Sequence, residues 1–165
     1  MQIFGLDRDP AATARALGDR HVVKMTLEST QILSTVASLA GDVTRYRPTH
    51  HNHPCTRWVR DSGGHWHWLL AHARALAGEY EFRYDRRHAC LDVIDELSAR
   101  EVSDTRVTPA AVVFTTLSLD EKYRFYSDLY AHRLSYLREK RHMHVYARGR
   151  PAPLWLQSEN LLSGE

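Results

Sequence analysis

The chain has little cysteine, no glycine-rich phosphate loop and no long apolar run, and each shortage closes off a class of function. Two cysteines among 165 residues, Cys55 and Cys90, are too few for a disulfide framework. No apolar run approaches the roughly 18 residues of a membrane helix. The opening MQIFGLDRDP has neither the charged nor the apolar region of a signal peptide. A cytoplasmic protein that engages no membrane is expected. The phosphate-loop pattern G-x-x-x-x-G-K-[ST], the dinucleotide pattern G-x-G-x-x-G, H-E-x-x-H and G-x-S-x-G are all missing. ATP-driven chemistry is thereby set aside. Cysteine nucleophile chemistry rests only on Cys55 standing two residues from His53. No repeat and no low-complexity segment is present. Net charge is only +2, with a pI of about 8.6. A local basic face could bind phosphate, but the total charge does not require it.

What is present is a globular composition, 43% hydrophobic and 25% charged, over a length suited to one domain. Eleven histidines and eight tyrosines stand out, both residue types that serve in sites. The pattern predicts a single, mainly α domain over residues 1–165 with five to six helices. QIFGL reads as a short strand or an extended lead-in. Asp9 caps a short helix opened by Pro10. Gly18 ends it, and Asp19 caps a long helix that stops at Gly41. Residues 42–53 read as loop, Pro54 opens a short helix, and Ser62 with two glycines breaks it. Helices are expected from His65 to Tyr84 and over 88–98. Residues 99–116 fit a strand or a loop. Ser118 and Glu121 form a capping box for a helix to Arg141, and Trp155 in the tail should dock on the body.

The stretch DRHVVKMTLESTQ carries the first candidate chemistry. His21, Lys24, Glu28 and Gln31 fall within an arc of roughly 80° on a helix. Met25, Ile32 and Leu39 lie beside that arc. A polar line against apolar neighbours costs about 1–3 kcal/mol for each unpaired group. One reading is a solvated face with a Lys24–Glu28 pair worth a few tenths of a kcal/mol. The other is one wall of a polar pocket. There Lys24 would contact an anion or a leaving group, and Glu28 or His21 would act as general base.

RPTHHNHPCTRW carries the second. His50, His51 and His53 invite a metal, but their spacing matches no strong ligand pattern. Asn52 or His53 capping a helix is the plainer reading, and such a terminus can take a phosphate, helped by Arg57 and Arg60. No metal and no cofactor is assigned. In GGHWHW, Trp68 reads as a core anchor and Trp66 stays open as a ring for stacking on a base. Glu79 and Arg83 stand at i, i+4 and fit an internal ion pair. If Arg83 faced the same cavity as Lys24, it would clamp an anion. Tyr123, Tyr126 and Tyr130 have the spacing of a core face.

The segments MQIFGLDRDP, DRHVVKMTLESTQILST, PTHHNHPCTRW and EYEFRY together resemble a family of small proteins from tailed bacteriophages and metaviromes. The chain is similar in this to the amino acid:DNA transferases of thymidine hypermodification. That resemblance implies a cofactor-free enzyme of the host cytoplasm, joining an amino acid amine to pyrophosphorylated 5-hydroxymethyluracil in DNA with release of pyrophosphate. Its partners would be DNA containing a modified pyrimidine and a free amino acid. His21, Lys24 and Glu28 would be catalytic. Gln31, His51, Asn52, His53, Arg57, Trp58, Arg60, Trp66, Glu79 and Arg83 would bind substrate, with Lys24, Arg57, Arg60 and Arg83 on the departing pyrophosphate and Trp58 or Trp66 against a flipped base. Two other readings stay open. One is a DNA glycosylase or nuclease-like enzyme acting on a flipped base, with Glu28 or an Asp as acid/base and a metal held by His50, His51 and His53. The other is a non-catalytic nucleic-acid-binding accessory protein.

Overall fold

Residues 1–102, 113–114 and 119–157 are described in a computed structural model of the chain. They form seven α-helices and no strand: α1 Pro10–Ala16, α2 Asp19–Leu39, α3 Pro54–Arg60, α4 Gly63–Tyr84, α5 Leu91–Ser98, α6 Asp128–Glu139 and α7 Leu154–Gln157. The all-α class holds, with more helices than the five to six expected. Among the described residues no helix is long and apolar enough to cross a membrane.

α2 packs chiefly against α4, and α1 also lies on α4. Pro10 at the first helical position and the Asp9 carboxylate accepting from Ala11 N–H start α1. The N-cap of α2 is Gly18, not Asp19. A Cβ at Gly18 would meet the Met143 carbonyl oxygen at 2.0 Å, so no larger residue fits there. Asp19 is drawn elsewhere: its carboxylate accepts from Arg83 Nη1 and from Ala147 N–H, both at 3.0 Å. Ser62 does more than break α3. Its hydroxyl accepts from His65 N–H at 3.1 Å, which lets α4 begin at Gly63.

QIFGL is extended lead-in, and α6 holds it. Gly5 N–H donates to His132 Nδ1 at 3.2 Å, Arg133 Nε–H to the Leu6 carbonyl at 2.7 Å, and Arg8 forks onto Asp128 with two 2.8 Å bonds. Such a bidentate pair fixes both direction and distance. α6 starts at Asp128, later than the capping box implies. Glu121 opens only a 3-10 turn, Glu121–Tyr123, and Ser118 lies outside the described residues, as does most of 99–116. Of the three tyrosines read as a core face, Tyr123 is buried, while Tyr126 is exposed and Tyr130 half-buried. Trp155 docks as expected, beneath Arg133, whose Cζ is 5.6 Å from its ring.

Candidate functional site

The polar stripe of α2 is the centre of the site. Glu28 is half-buried, with 12% of its side chain exposed, while Lys24 is 65% exposed. Lys24 Nζ stands 3.5 Å from Glu28 Oε1. On the other carboxylate oxygen, Glu28 accepts from the backbone nitrogen of Gln2 at 2.9 Å, and the amino nitrogen of Met1 is 4.0 Å away. One carboxylate therefore gathers a lysine amine and the head of the chain. The extended lead-in makes this possible, because its anchoring by α6 delivers residues 1 and 2 alongside α2.

The loop 42–53 closes a second side. Thr49 N–H donates to Thr35 Oγ1 at 3.1 Å, and Thr35 is two turns beyond Glu28 on the same helix. His53 caps α3, its Nδ1 accepting from Cys55 N–H at 3.2 Å. That bond assigns the ring proton to Nε2. Burial is the main cause that holds the His53 pKa below the ordinary range. The amino group of the first residue and His50 push it the same way, and Glu28 opposes them. His53 thus lies within electrostatic reach of both the carboxylate and the amine. Its neighbours His50, His51 and Asn52 differ from it. His51 and Asn52 are exposed, and His50 bonds Thr49 Oγ1 through Nδ1 at 2.8 Å. Among the described residues no three His, Cys, Asp or Glu side chains gather as a metal-binding group.

His21 stands one turn before Lys24, at the back of a cavity of about 300 Å³ that Gln2, Lys24 and Lys140 also line. The ring is buried. Tyr136 Oη accepts from Gly18 N–H at 2.9 Å and shares a 2.9 Å hydrogen bond with His21 Nδ1. Burial first, then the charges of Lys140 and Lys24, hold the His21 pKa down at about 4. Near neutral pH this ring is uncharged. Gln31 is half-buried farther along the stripe.

The remaining predicted residues lie elsewhere. Arg83 does not face the cavity of Lys24. Its side chain is 0% exposed and bonds Glu79, Asp19 and the carbonyls of Leu17 and Arg15. Glu79 takes Arg83 on one side and a two-pronged Arg150 on the other. The pair locks α1, α2, α4 and the tail together, so both assignments as substrate contacts give way to a structural one. Trp58 and Trp66 are core rings. Trp58 stacks on His65 at 4.1 Å and donates to the Val113 carbonyl at 3.0 Å. Trp66 is buried under Arg100. Neither is free to stack on a base. Arg57 and Arg60 are exposed on α3, and Arg60 lines a different cavity, with Trp66 and Arg100. The amine beside Glu28 escaped the sequence reading altogether. A backbone nitrogen is common to every residue, and no side-chain pattern announces where it will fold.

A family model described as pyrimidine dimer DNA glycosylase matches residues 1–92, more than half of the chain. No curated protein and no solved structure matches. The family match overturns the resemblance to the amino acid:DNA transferases. With it go the transferase activity, the pyrophosphorylated substrate and the free amino acid partner. The match favours the DNA glycosylase class held open above as an alternative. Both chemistries must reach an altered pyrimidine with a carboxylate and an amine close by, so the same motifs suit either. The intended pyrophosphate clamp also fails on geometry, because Arg83 is buried in its own network.

Proposed function

We propose that this chain, which belongs to the pyrimidine dimer DNA glycosylase family, cuts the N-glycosidic bond of a pyrimidine dimer in DNA, with Glu28 as the acid/base and a primary amine beside it as the nucleophile. The observation that carries this reading is the convergence on one half-buried carboxylate of Lys24 Nζ at 3.5 Å and the amino nitrogen of Met1 at 4.0 Å. Removal of Met1 would put the terminal amine on the Gln2 nitrogen, already 2.9 Å from Glu28, in place of that of Met1.

The chemistry follows from that pair. A neutral amine attacks C1′ of the damaged nucleotide as the C1′–N1 bond breaks. The base leaves with the bonding electrons and takes up a proton, and Glu28 receives the proton lost by the amine. Ring opening gives an imine between amine and sugar. Loss of a C2′ proton then expels the 3′ phosphate and nicks the strand. His53, its Nε2–H directed away from the α3 cap, is a hydrogen-bond donor within the same electrostatic field. His51, Asn52, Gln31, Arg57 and Arg60 are proposed contacts to the DNA around the lesion, the arginines on phosphates. No step calls on a metal or an organic cofactor.

The test is incision of a duplex oligonucleotide that carries one cyclobutane pyrimidine dimer. Wild type should release the strand break at the dimer and leave undamaged DNA intact. Glu28→Gln should lower the rate by about 10²–10⁴-fold with an unchanged circular dichroism spectrum. An intact dimer strand after prolonged incubation with folded wild type would refute the reading.

A further inference from the structure

We propose that the cavity between the end of α2, the end of α3 and the start of α4 is a phosphate-binding site, separate from the reactive stripe at Glu28. The cavity measures about 220 Å³, and Val36, Leu39 and Val59 form its apolar wall. Leu39 lies three helical turns beyond Glu28, about 16 Å along the axis of α2. Arg60, Ser62, Gly63, Trp66 and Arg100 form the polar side. Among the described residues no carboxylate lines the cavity.

Its polar side consists of donors that lack acceptors. α4 is a 22-residue helix, and the first N–H groups of a helix have no acceptor within it. Gly63 and Gly64 hold its first two positions. Both are buried, and neither N–H finds an acceptor elsewhere. The Ser62 hydroxyl accepts from His65 N–H, which leaves its own proton to give. Trp66 is the second and independent sign. It is 1% exposed, and its Nε1–H is shut off from water with no acceptor. Helical side chains lean toward the N-terminus, which carries this ring back over the Gly63 turn. Buried polar groups are nearly always paired, so an orphan donor on a ring that lines a cavity marks a missing acceptor. Two cations complete the set. Arg60 is exposed and has neither an ion pair nor a side-chain hydrogen bond. Arg100 lies over the Trp66 ring at 5.1 Å and is held by Asp42 through Nε, which leaves both of its Nη groups free. The end of α2 also reaches the cavity, and bare carbonyls there would repel an anion. Those of Val36, Ala37 and Ser38 already accept from Ala40, Gly41 and Asp42. A helix N-terminus and a guanidinium fork each favour phosphate, and donors from separate segments suit a tetrahedral oxyanion. The phosphate can belong to a DNA backbone or be free in solution, and the chemistry of recognition is the same.

The experiment titrates the full-length ¹⁵N-labelled protein with inorganic phosphate at constant ionic strength, and separately with a short undamaged duplex. The Gly63 and Gly64 amides and the Trp66 indole N–H should shift together in NMR spectra and saturate with one dissociation constant. Arg60→Gln should weaken phosphate binding about 10-fold, and Arg60→Lys should keep most of it. Arg60 is exposed, so both variants should fold, and an unchanged amide spectrum away from the cavity checks that they do. The same shifts with duplex, reversed by added phosphate, identify the DNA backbone as the source. Shifts with phosphate and none with duplex identify free phosphate. Resonances of Gly63, Gly64 and Trp66 that stay still in both titrations overturn the site, as does an Arg60→Gln variant that binds phosphate as tightly as wild type. None of these readouts involves strand incision. Failure of the glycosylase reading would leave the site standing, and loss of the site would leave the glycosylase reading untouched.

Discussion

Replacing Arg83 with methionine should separate a structural role from a catalytic one more sharply than any change in the polar stripe. Methionine fills much of the volume of the arginine stem but carries no charge and no donor. It would strip the Leu17 and Arg15 carbonyls of the bonds they receive from Arg83 at 2.7 and 3.1 Å. Two carboxylates would lose their shared cation, although Glu79 keeps Arg150 and Asp19 keeps Ala147 N–H. Removing one partner from a buried ion pair costs about 3–5 kcal/mol, and those two surviving bonds favour the middle of that range, about 4 kcal/mol. With a urea slope of about 2 kcal/mol/M, the midpoint should fall by about 2 M. Equilibrium urea unfolding followed by tryptophan fluorescence reads the shift. The folded fraction of the variant at low urea should keep its specific activity on dimer DNA. A variant that unfolds at the wild-type midpoint but loses cleavage about 100-fold would refute the structural assignment and return Arg83 to an anion clamp.

Acid should weaken the fold before any carboxylate titrates. Burial holds His72 at about 4, and burial with nearby cations holds His21 at about 4, both against an ordinary 6.5. The unfolded chain then binds more protons between pH 6.5 and 4. Stability should be flat above pH 6.5 and fall by up to about 3 kcal/mol per histidine as pH drops to 4. His72→Asn can keep the bond to the Pro10 carbonyl and should flatten that slope in urea titrations, and an unaltered slope would contradict the assignment. Gly18→Ala should lower the melting temperature steeply in calorimetry, because its Cβ falls 2.0 Å from a backbone oxygen that cannot move aside alone. A wild-type melting temperature would show that the Arg141–His144 segment yields freely. Raising salt from about 50 to 200 mM should weaken binding to undamaged duplex in proportion to phosphate contacts, and Arg57→Ala should reduce that slope by about one contact. An unchanged slope would remove Arg57 from the interface.

Helix order was legible because its signals are local. Pro10, Pro54 and Ser62 act on the backbone within a few residues, and the polar line on α2 survives folding because a helix fixes its own angles. Lys24 and Glu28 do pair, and His53 does cap a helix. The errors cluster where partners are remote in sequence. Arg83 meets Asp19 and two carbonyls of the α1 end more than 60 residues away, and nothing near Arg83 signals that it will be buried. Trp58 and Trp66 looked available because both rings stand beside polar neighbours in sequence, while the groups that cover them, Val113 over Trp58 and Arg100 over Trp66, come from remote parts of the chain. The resemblance to the transferases failed for a different reason. Short motifs such as HVVKM and PTHHNHP do not specify which bond of the nucleotide is broken.

The central claim, an amine nucleophile served by Glu28, is tested most directly by borohydride trapping. Wild type is mixed with a duplex that carries one pyrimidine dimer in the presence of sodium borohydride, and the cross-linked peptide is mapped by mass spectrometry. The account predicts a one-to-one covalent adduct on either the first residue or Lys24, lost when Glu28 becomes glutamine. Efficient release of the base with no trapped adduct, or an adduct on a lysine remote from Glu28, would contradict it.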